Sequence, residues 1–163
     1  MNNFGRYNIN ASDVAKYFIY KSQYDDNPNY TVTPLKLQKL VYYAQAWCLA
    51  LKDNILFNDE IQAWVHGPVV YKVYKEYEKY GYNQIREKVN TIPDDIRSNN
   101  EVSEVLNAVW DIYKDYDAKQ LEKLTQSEPP WINARGDLKP YEASNNHISR
   151  DDMKKYYGKF TKQ

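Results

Sequence analysis

Along most of this chain apolar residues return every three or four positions, the spacing that gathers them on one side of an α-helix. In residues 13–23, Val14, Ala15, Phe18 and Ile19 keep that spacing behind Ser12, which reads as the N-cap. The residues before Ser12 are polar, and a loosely ordered N-terminus over 1–11 is expected. After a break at Asp25-Asp26-Asn27-Pro28, Thr33-Pro34 is the sharpest start signal in the sequence. The threonine can cap, and proline at the first helical position lacks only an N–H that would be unpaired anyway. The helix it opens runs to about Leu51, with Leu37, Leu40, Val41, Ala44, Trp47, Cys48 and Leu51 within about 120° of arc. Gln38, Tyr42, Gln45 and Leu49 form a second strip beside them. A helix with two demanding sides belongs at the centre of a fold.

Residues 55–64 hold short apolar runs, Ile55-Leu56-Phe57 and Ile61, and fit a short strand or irregular stretch better than a helix. His66-Gly67-Pro68 reads as a turn. A helix is predicted over 69–80, with Val69, Val70, Val73, Tyr74, Tyr77 and Tyr80 on one side and Gly81 as its stop. Residues 82–100 read as a long connection and 101–116 as another one-sided helix. Asp117 caps a short helix over 118–124, residues 131–135 form one helical turn closed by Gly136, and Ser149 with Asp152 resembles a capping box for a last helix over 150–157. The sum is a mainly α, compact single domain over 12–157. It is a helical bundle around a central helix at about 34–51, with at most a short β element near 55–64 and a polar tail over 158–163.

Composition narrows what such a body can do. The 163 residues carry 22 basic and 22 acidic side chains, spread evenly along the chain. A nonspecific nucleic-acid binder draws its affinity from Lys and Arg neutralising phosphates, so a neutral, unpatterned chain does not fit that role. No apolar run approaches the roughly 18–20 residues that cross a bilayer, and the start lacks an apolar signal segment. The single cysteine, Cys48, excludes an internal disulfide and a cysteine-based zinc site, and fits a reducing cytoplasm.

The candidates for chemistry are sparse. A cysteine nucleophile should be partly exposed beside a base or a helix N-terminus, whereas Cys48 falls on the apolar arc of the central helix and reads as a buried small hydrophobe. His66 stands before a Gly-Pro turn and His147 in a polar loop, without a partner at metal-ligand spacing. The scattered glycines form no phosphate loop. No catalytic set, cofactor or metal is expected. A small hydrolase or transferase using Cys48 or His66 is the enzymatic alternative, and a helix-turn-helix regulator a third, without a basic recognition helix to support it.

Two dense segments remain. Thr33-Pro34-Leu35-Lys36-Leu37-Gln38-Lys39-Leu40-Val41-Tyr42-Tyr43-Ala44-Gln45-Ala46-Trp47, followed by Glu60-Ile61-Gln62-Ala63-Trp64-Val65-His66-Gly67-Pro68-Val69-Val70, resembles the signature of the Panacea-domain family, the SocA-like antitoxins and phage-associated GepA-like proteins. A later block, Leu124-Thr125-Gln126-Ser127-Glu128-Pro129-Pro130-Trp131, resembles the family's third and weaker motif, with Gln126 where histidine is common. The resemblance implies an antitoxin of a toxin–antitoxin pair, which binds and blocks a toxin protein usually encoded by the neighbouring gene. Panacea domains pair with many unrelated toxins. Some relatives instead act as adaptors handing a toxin to a protease, a second class of partner. Homo-oligomerisation is left open.

Candidate partner-binding residues follow from those blocks: Gln38, Tyr42, Gln45, Trp64, His66, Gly67, Pro68, Glu128, Pro130 and Trp131. The strip of Gln38, Tyr42 and Gln45 has two readings. Buried, each residue needs hydrogen-bond partners or costs ~1–3 kcal/mol; exposed beside Trp64 and His66, the three make the amphipathic, aromatic surface that interfaces favour. Residues 128–131 read as a rigid loop presenting a tryptophan.

Overall fold

In a computed structural model, which describes residues 3–161, the centre of the fold is the helix that Thr33-Pro34 opens. It runs over Pro34–Lys52, α2 in chain order, and Thr33 caps it by accepting from the Lys36 N–H. Every residue of 36–46 is buried, so the helix is enclosed on all sides. Trp47 is half-buried and Leu51 exposed, because the apolar arc reaches the surface at the last turn. Around α2 pack α1 (Ala11–Tyr24), α5 (Asn100–Tyr113), α6 (Ala118–Gln126) and α8 (Arg150–Gly158). Two shorter helices, α3 (Tyr71–Tyr77) and α7 (Pro129–Arg135), complete the shell, with a single turn, α4 (Asp94–Arg97), inside the long connection. The fold is mainly α, as the periodicity implies.

Local signals explain most of the boundaries. Asp117 and Gln120 form a reciprocal capping box on α6, Pro129 opens α7, and Ser149 accepts from the Asp152 N–H at the start of α8. The cap of α1 is not Ser12 but Asn10, whose side chain accepts from the Ser12 N–H at 2.8 Å. Ser12 instead donates its hydroxyl to Glu76 at 2.6 Å, tying α1 to α3.

The N-terminal stretch differs from the expectation of a loose segment. Gly5–Arg6 (β1) pairs in parallel with Asn54–Ile55 (β2), the Tyr7 and Ile9 N–H groups donate to Ile55 and Leu56, and Ile9 is buried. Residues 1–2 of that stretch, and 162–163 of the polar tail, lie outside the described residues. A second correction concerns 66–69. The turn sits at Val65 and His66, and Gly67–Val69 (β4) is a strand paired antiparallel with Gln62–Trp64 (β3). Helix α3 therefore begins at Tyr71, two residues later than its apolar pattern implies, because Val69 is held by strand pairing to Gln62. Residues 146–148, read as a polar loop, line the other edge of β3: Ala63 donates to the Asn146 carbonyl and Ile148 to that of Ile61.

Candidate functional site

The chain between residues 54 and 70 has little ladder of its own, so its backbone groups need partners from elsewhere. Helix α2 supplies them. Gln38 grips Val70 at both ends, donating to its carbonyl at 3.2 Å and accepting from its N–H at 2.9 Å. Gln45 donates to the Phe57 carbonyl and accepts from the Leu56 N–H, both at 2.7 Å. Lys39, fully buried, donates to the Pro68 carbonyl at 3.1 Å. Burial pushes its ammonium down to about 7, against the opposing pull of Glu122. Gly67 makes this approach feasible: its φ of 107° is left-handed, and a Cβ there would lie 2.8 Å from Lys39 Cε and 2.9 Å from Thr125 Oγ1.

From the other side α6 and α7 hold the hairpin. Three successive carbonyls, of Ala63, Trp64 and Val65, accept from Arg135 at 3.2 Å, Trp131 at 2.9 Å and Gln126 at 2.8 Å. Gln126 thus does its work as a neutral donor. Glu128 is buried, and its Oε1 accepts from Tyr43 at 2.7 Å and from Tyr157 at 2.8 Å, while the Tyr42 and Tyr157 hydroxyls lie 2.9 Å apart. Burial raises the Glu128 carboxyl, the two phenols counter it, and all three tyrosines are pushed far up by burial.

These positions sort the ten candidates. Gln38, Tyr42, Gln45, Gly67, Pro68, Glu128 and Pro130 are buried, where the expectation of an exposed strip and loop puts them at the surface. Of the strip, Gln38 does meet the hairpin end, but Tyr42 and Gln45 turn to α8 and to residues 56–57. Residues 128–131 are no loop: Glu128 is the N-cap position of α7 and Trp131 lies inside it. Only Trp64, His66 and Trp131 reach the surface. His66 is 68% exposed at the side chain and donates from Nδ1 to Glu122 Oε2 at 2.7 Å. Lys119 donates to the other oxygen at 3.0 Å. Burial alone would raise the Glu122 carboxyl, but His66 and Lys119 outweigh it and hold it below the ordinary value.

Sequence reasoning missed two members of this surface. Tyr71, 51% exposed, and half-buried Tyr74 flank Trp64, with ring centroids 6.4 and 4.9 Å from it. The signal was there: once Gly67–Val69 is a strand, the first turn of α3 presents its tyrosines beside β3. The result is an aromatic shelf of Trp64, Tyr71 and Tyr74.

Cys48 sits in another network. It is buried, burial drives its thiol up to about 12, and its charged neighbours are Lys52 and Glu101, not His66. Nucleophile and base are not assembled. His147 faces Glu60, 3.5 Å away, beside Arg150. Among the described residues no group of three metal-ligating side chains converges, and no helix is long and apolar enough to cross a membrane.

The sequence model of one family, described as antitoxin SocA-like, Panacea domain, matches residues 37–132. The chain belongs to this family. The matched segment spans most of α2, both strands of the hairpin and all of α6, and it ends midway through α7. The match also takes in α3, α4 and α5, and it leaves Arg135 of the hairpin braces outside. No curated protein and no solved structure matches the chain.

Proposed function

We propose that this Panacea-family chain is an antitoxin that neutralises a cognate toxin protein by direct stoichiometric binding, through the face around the β3–β4 hairpin. The observation that carries the reading is the family match itself, whose span includes the hairpin and its braces Gln38, Lys39, Gln126 and Trp131. Gln38, Lys39, Gln126, Trp131 and Arg135 fix the hairpin backbone from both sides. A rigid platform loses little conformational entropy on binding. It carries Trp64 and Tyr71, of the two residue types most often found as interface hot spots. Separation of Cys48 from His66 favours binding over hydrolysis.

The test is co-expression with the product of the neighbouring gene. The toxin should arrest growth alone, and growth should return with the antitoxin, which should co-purify with it at equimolar ratio. Tyr71→Ala should leave the melting temperature nearly unchanged and weaken the complex by ~2 kcal/mol, a hot-spot magnitude. Full rescue at normal dose by a folded Trp64→Ala, Tyr71→Ala double variant would move the interface elsewhere.

A further inference from the structure

The long connection between α3 and α5 is held to α1 at two separate points. At the first, Gln23 of α1 grips its backbone, donating to the Glu87 carbonyl at 2.6 Å and accepting from the Val89 N–H at 3.1 Å. At the second, Asp95 of α4 reaches the start of α1, where its Oδ2 accepts from the Asn10 N–H at 3.4 Å. Between them lies a cleft of about 720 Å³, lined by Asp13 and Lys16 of α1 and by residues 87–95. The other oxygen of Asp95, Oδ1, is buried and receives no donor of fixed charge state from the described residues. Its neighbour is the Asp13 carboxyl, which is hydrogen-bonded to Asp95. Ionised carboxylates only accept, so that bond exists only while one of the two groups carries a proton. Protonated Asp13 is the donor that the orphaned oxygen lacks.

We infer that Asp13 and Asp95 form a proton-operated clasp: with Asp13 protonated, the connection is drawn onto the start of α1, and loss of the proton sets carboxylate against carboxylate and loosens residues 90–97. The surrounding charges divide. Lys16 and Lys72 oppose the proton, as does the positive N-terminal end of α1, in whose first turn Asp13 stands. Lys72 is partly engaged by Asn10 Oδ1 at 3.1 Å, Glu76 takes the Ser12 hydroxyl, and Arg97 pairs with Asp94. Glu87, Lys88 and Asp94 line the rest of the cleft. Burial and Asp95 outweigh the lysines, and the Asp13 carboxyl is pushed from 3.8 up to about 6. The clasped form therefore holds a proton that the loosened form gives up, so it is favoured most in acid and weakens as pH rises toward about 6. Val89 and Ile96 stay buried in the core, which keeps the opening local. The inference stands apart from the antitoxin reading and is tested without a partner.

The experiment follows the full chain by NMR between about pH 4 and 7.5. The Asp13 carboxyl carbon reports its own titration. Amide exchange of Ile96, Arg97 and Ser98, whose N–H groups close α4 onto Pro93 and Asp94, reports the clasp once the intrinsic pH dependence of exchange is divided out. In the parent the carboxyl should titrate near pH 6, and protection of the three amides should fall about tenfold between pH 4.5 and 6.5. Asp13→Asn keeps a donor at every pH, so its protection should stay at the acid level within about threefold. Asp95→Asn should weaken the hold of Asp13 on its proton about tenfold. Circular dichroism and melting confirm that both variants are folded, and the parent titration needs neither. A parent Asp13 that titrates near the ordinary 3.8 overturns the clasp. Amide protection that does not change with pH overturns it as well, whatever Asp13 does. So does an Asp13→Asn variant that keeps the parent's pH dependence, since another group would then be the switch.

Discussion

Toward α5, helix α2 presents aromatic and apolar surface: Tyr43 stacks on Tyr113 at 4.1 Å, Trp47 donates to the Tyr113 hydroxyl, and Val102, Val105, Leu106 and Val109 of α5 join the same core. Toward residues 54–70 the same helix presents Gln38, Lys39 and Gln45, and each makes a hydrogen bond to backbone. The contrast has a simple origin. Two helices have satisfied their own backbones, so between them shape and apolar area dominate and no backbone group needs a partner. An irregular segment has not, and a helix that packs against it must supply donors and acceptors or leave buried groups unpaired. On the first side a substitution has a graded cost set by volume. On the second the cost is set by which hydrogen bonds remain.

Tyr42 combines both kinds of packing and carries the largest expected effect. Its ring lies against those of Tyr43 and Tyr157, and its hydroxyl joins the chain that ends on Glu128. Tyr42→Ala should lower unfolding free energy by ~3–5 kcal/mol, as truncation of a buried aromatic does. Tyr42→Phe, which keeps the ring, should cost only ~0.5–1.5 kcal/mol. Urea unfolding of the two variants separates ring from hydroxyl, and equal losses would break the comparison. Toxin binding should fail in Tyr42→Ala only as far as the protein unfolds.

Gln45 tests the polar side by itself. Gln45→Leu preserves bulk but strands the Leu56 N–H and the Phe57 carbonyl, at ~1–3 kcal/mol for each unpaired group. Leu40→Met, a volume-conserving change at a fully buried apolar position of the same helix, should cost less than ~1.5 kcal/mol. Denaturant midpoints at equal slope give the two numbers directly. If Gln45→Leu proves as mild as Leu40→Met, the 54–70 segment is held by apolar burial and the amide is incidental.

The same contrast explains what was legible in the sequence. Apolar spacing located α1, α2 and α5, and α3 two residues early, since period 3.6 is the direct imprint of a one-sided or enclosed helix. The caps at Asp117 and Ser149 placed α6 and α8, because a cap bonds a backbone N–H within three residues of itself; the return bond from the Asp117 N–H to Gln120 is seen in the structure alone. The cap of α1 was not: Asn10 and Ser12 are both good caps, and the choice fell to the distant Glu76, which takes the serine hydroxyl. Strands β1 and β2 are two residues each and carry no periodicity to read. Gln38 and Gln45 share a helical strip whether their partners are a toxin or residues 56–70, because spacing reports which face a residue occupies and not what lies opposite. For the same reason Trp64, His66 and Trp131 could be picked out from their motifs, whereas the burial of their companions could not.

Lys39 offers the finest distinction, because its expected effect passes through zero. Its ammonium is enclosed and donates to Pro68 O, and burial moves it from an ordinary 10.5 to about 7. Between those two values the unfolded chain holds a proton that the folded chain has released, so stability should rise with pH there, by up to ~1.4 kcal/mol per unit. Below about 7 both states are protonated, the slope vanishes and the full penalty of burying the charge is present. Lys39→Met removes the titration, so subtracting its unfolding free energy from that of the parent isolates this one group. The difference should be flat up to about pH 6.5 and then climb between 7.5 and 9.5. At pH 6 the methionine variant should match or exceed the parent, since apolar side chains often replace a buried charge without loss. At pH 9.5 the parent should be the more stable, because a neutral amine still donates to Pro68 while methionine leaves that carbonyl unpaired. A difference that does not change with pH would mean that Lys39 keeps its ordinary proton affinity. The hairpin would then be fastened to α2 by a full charge, and the polar side of the helix would depend on ion pairing with Glu122 and not on neutral hydrogen bonds like those of Gln38 and Gln45.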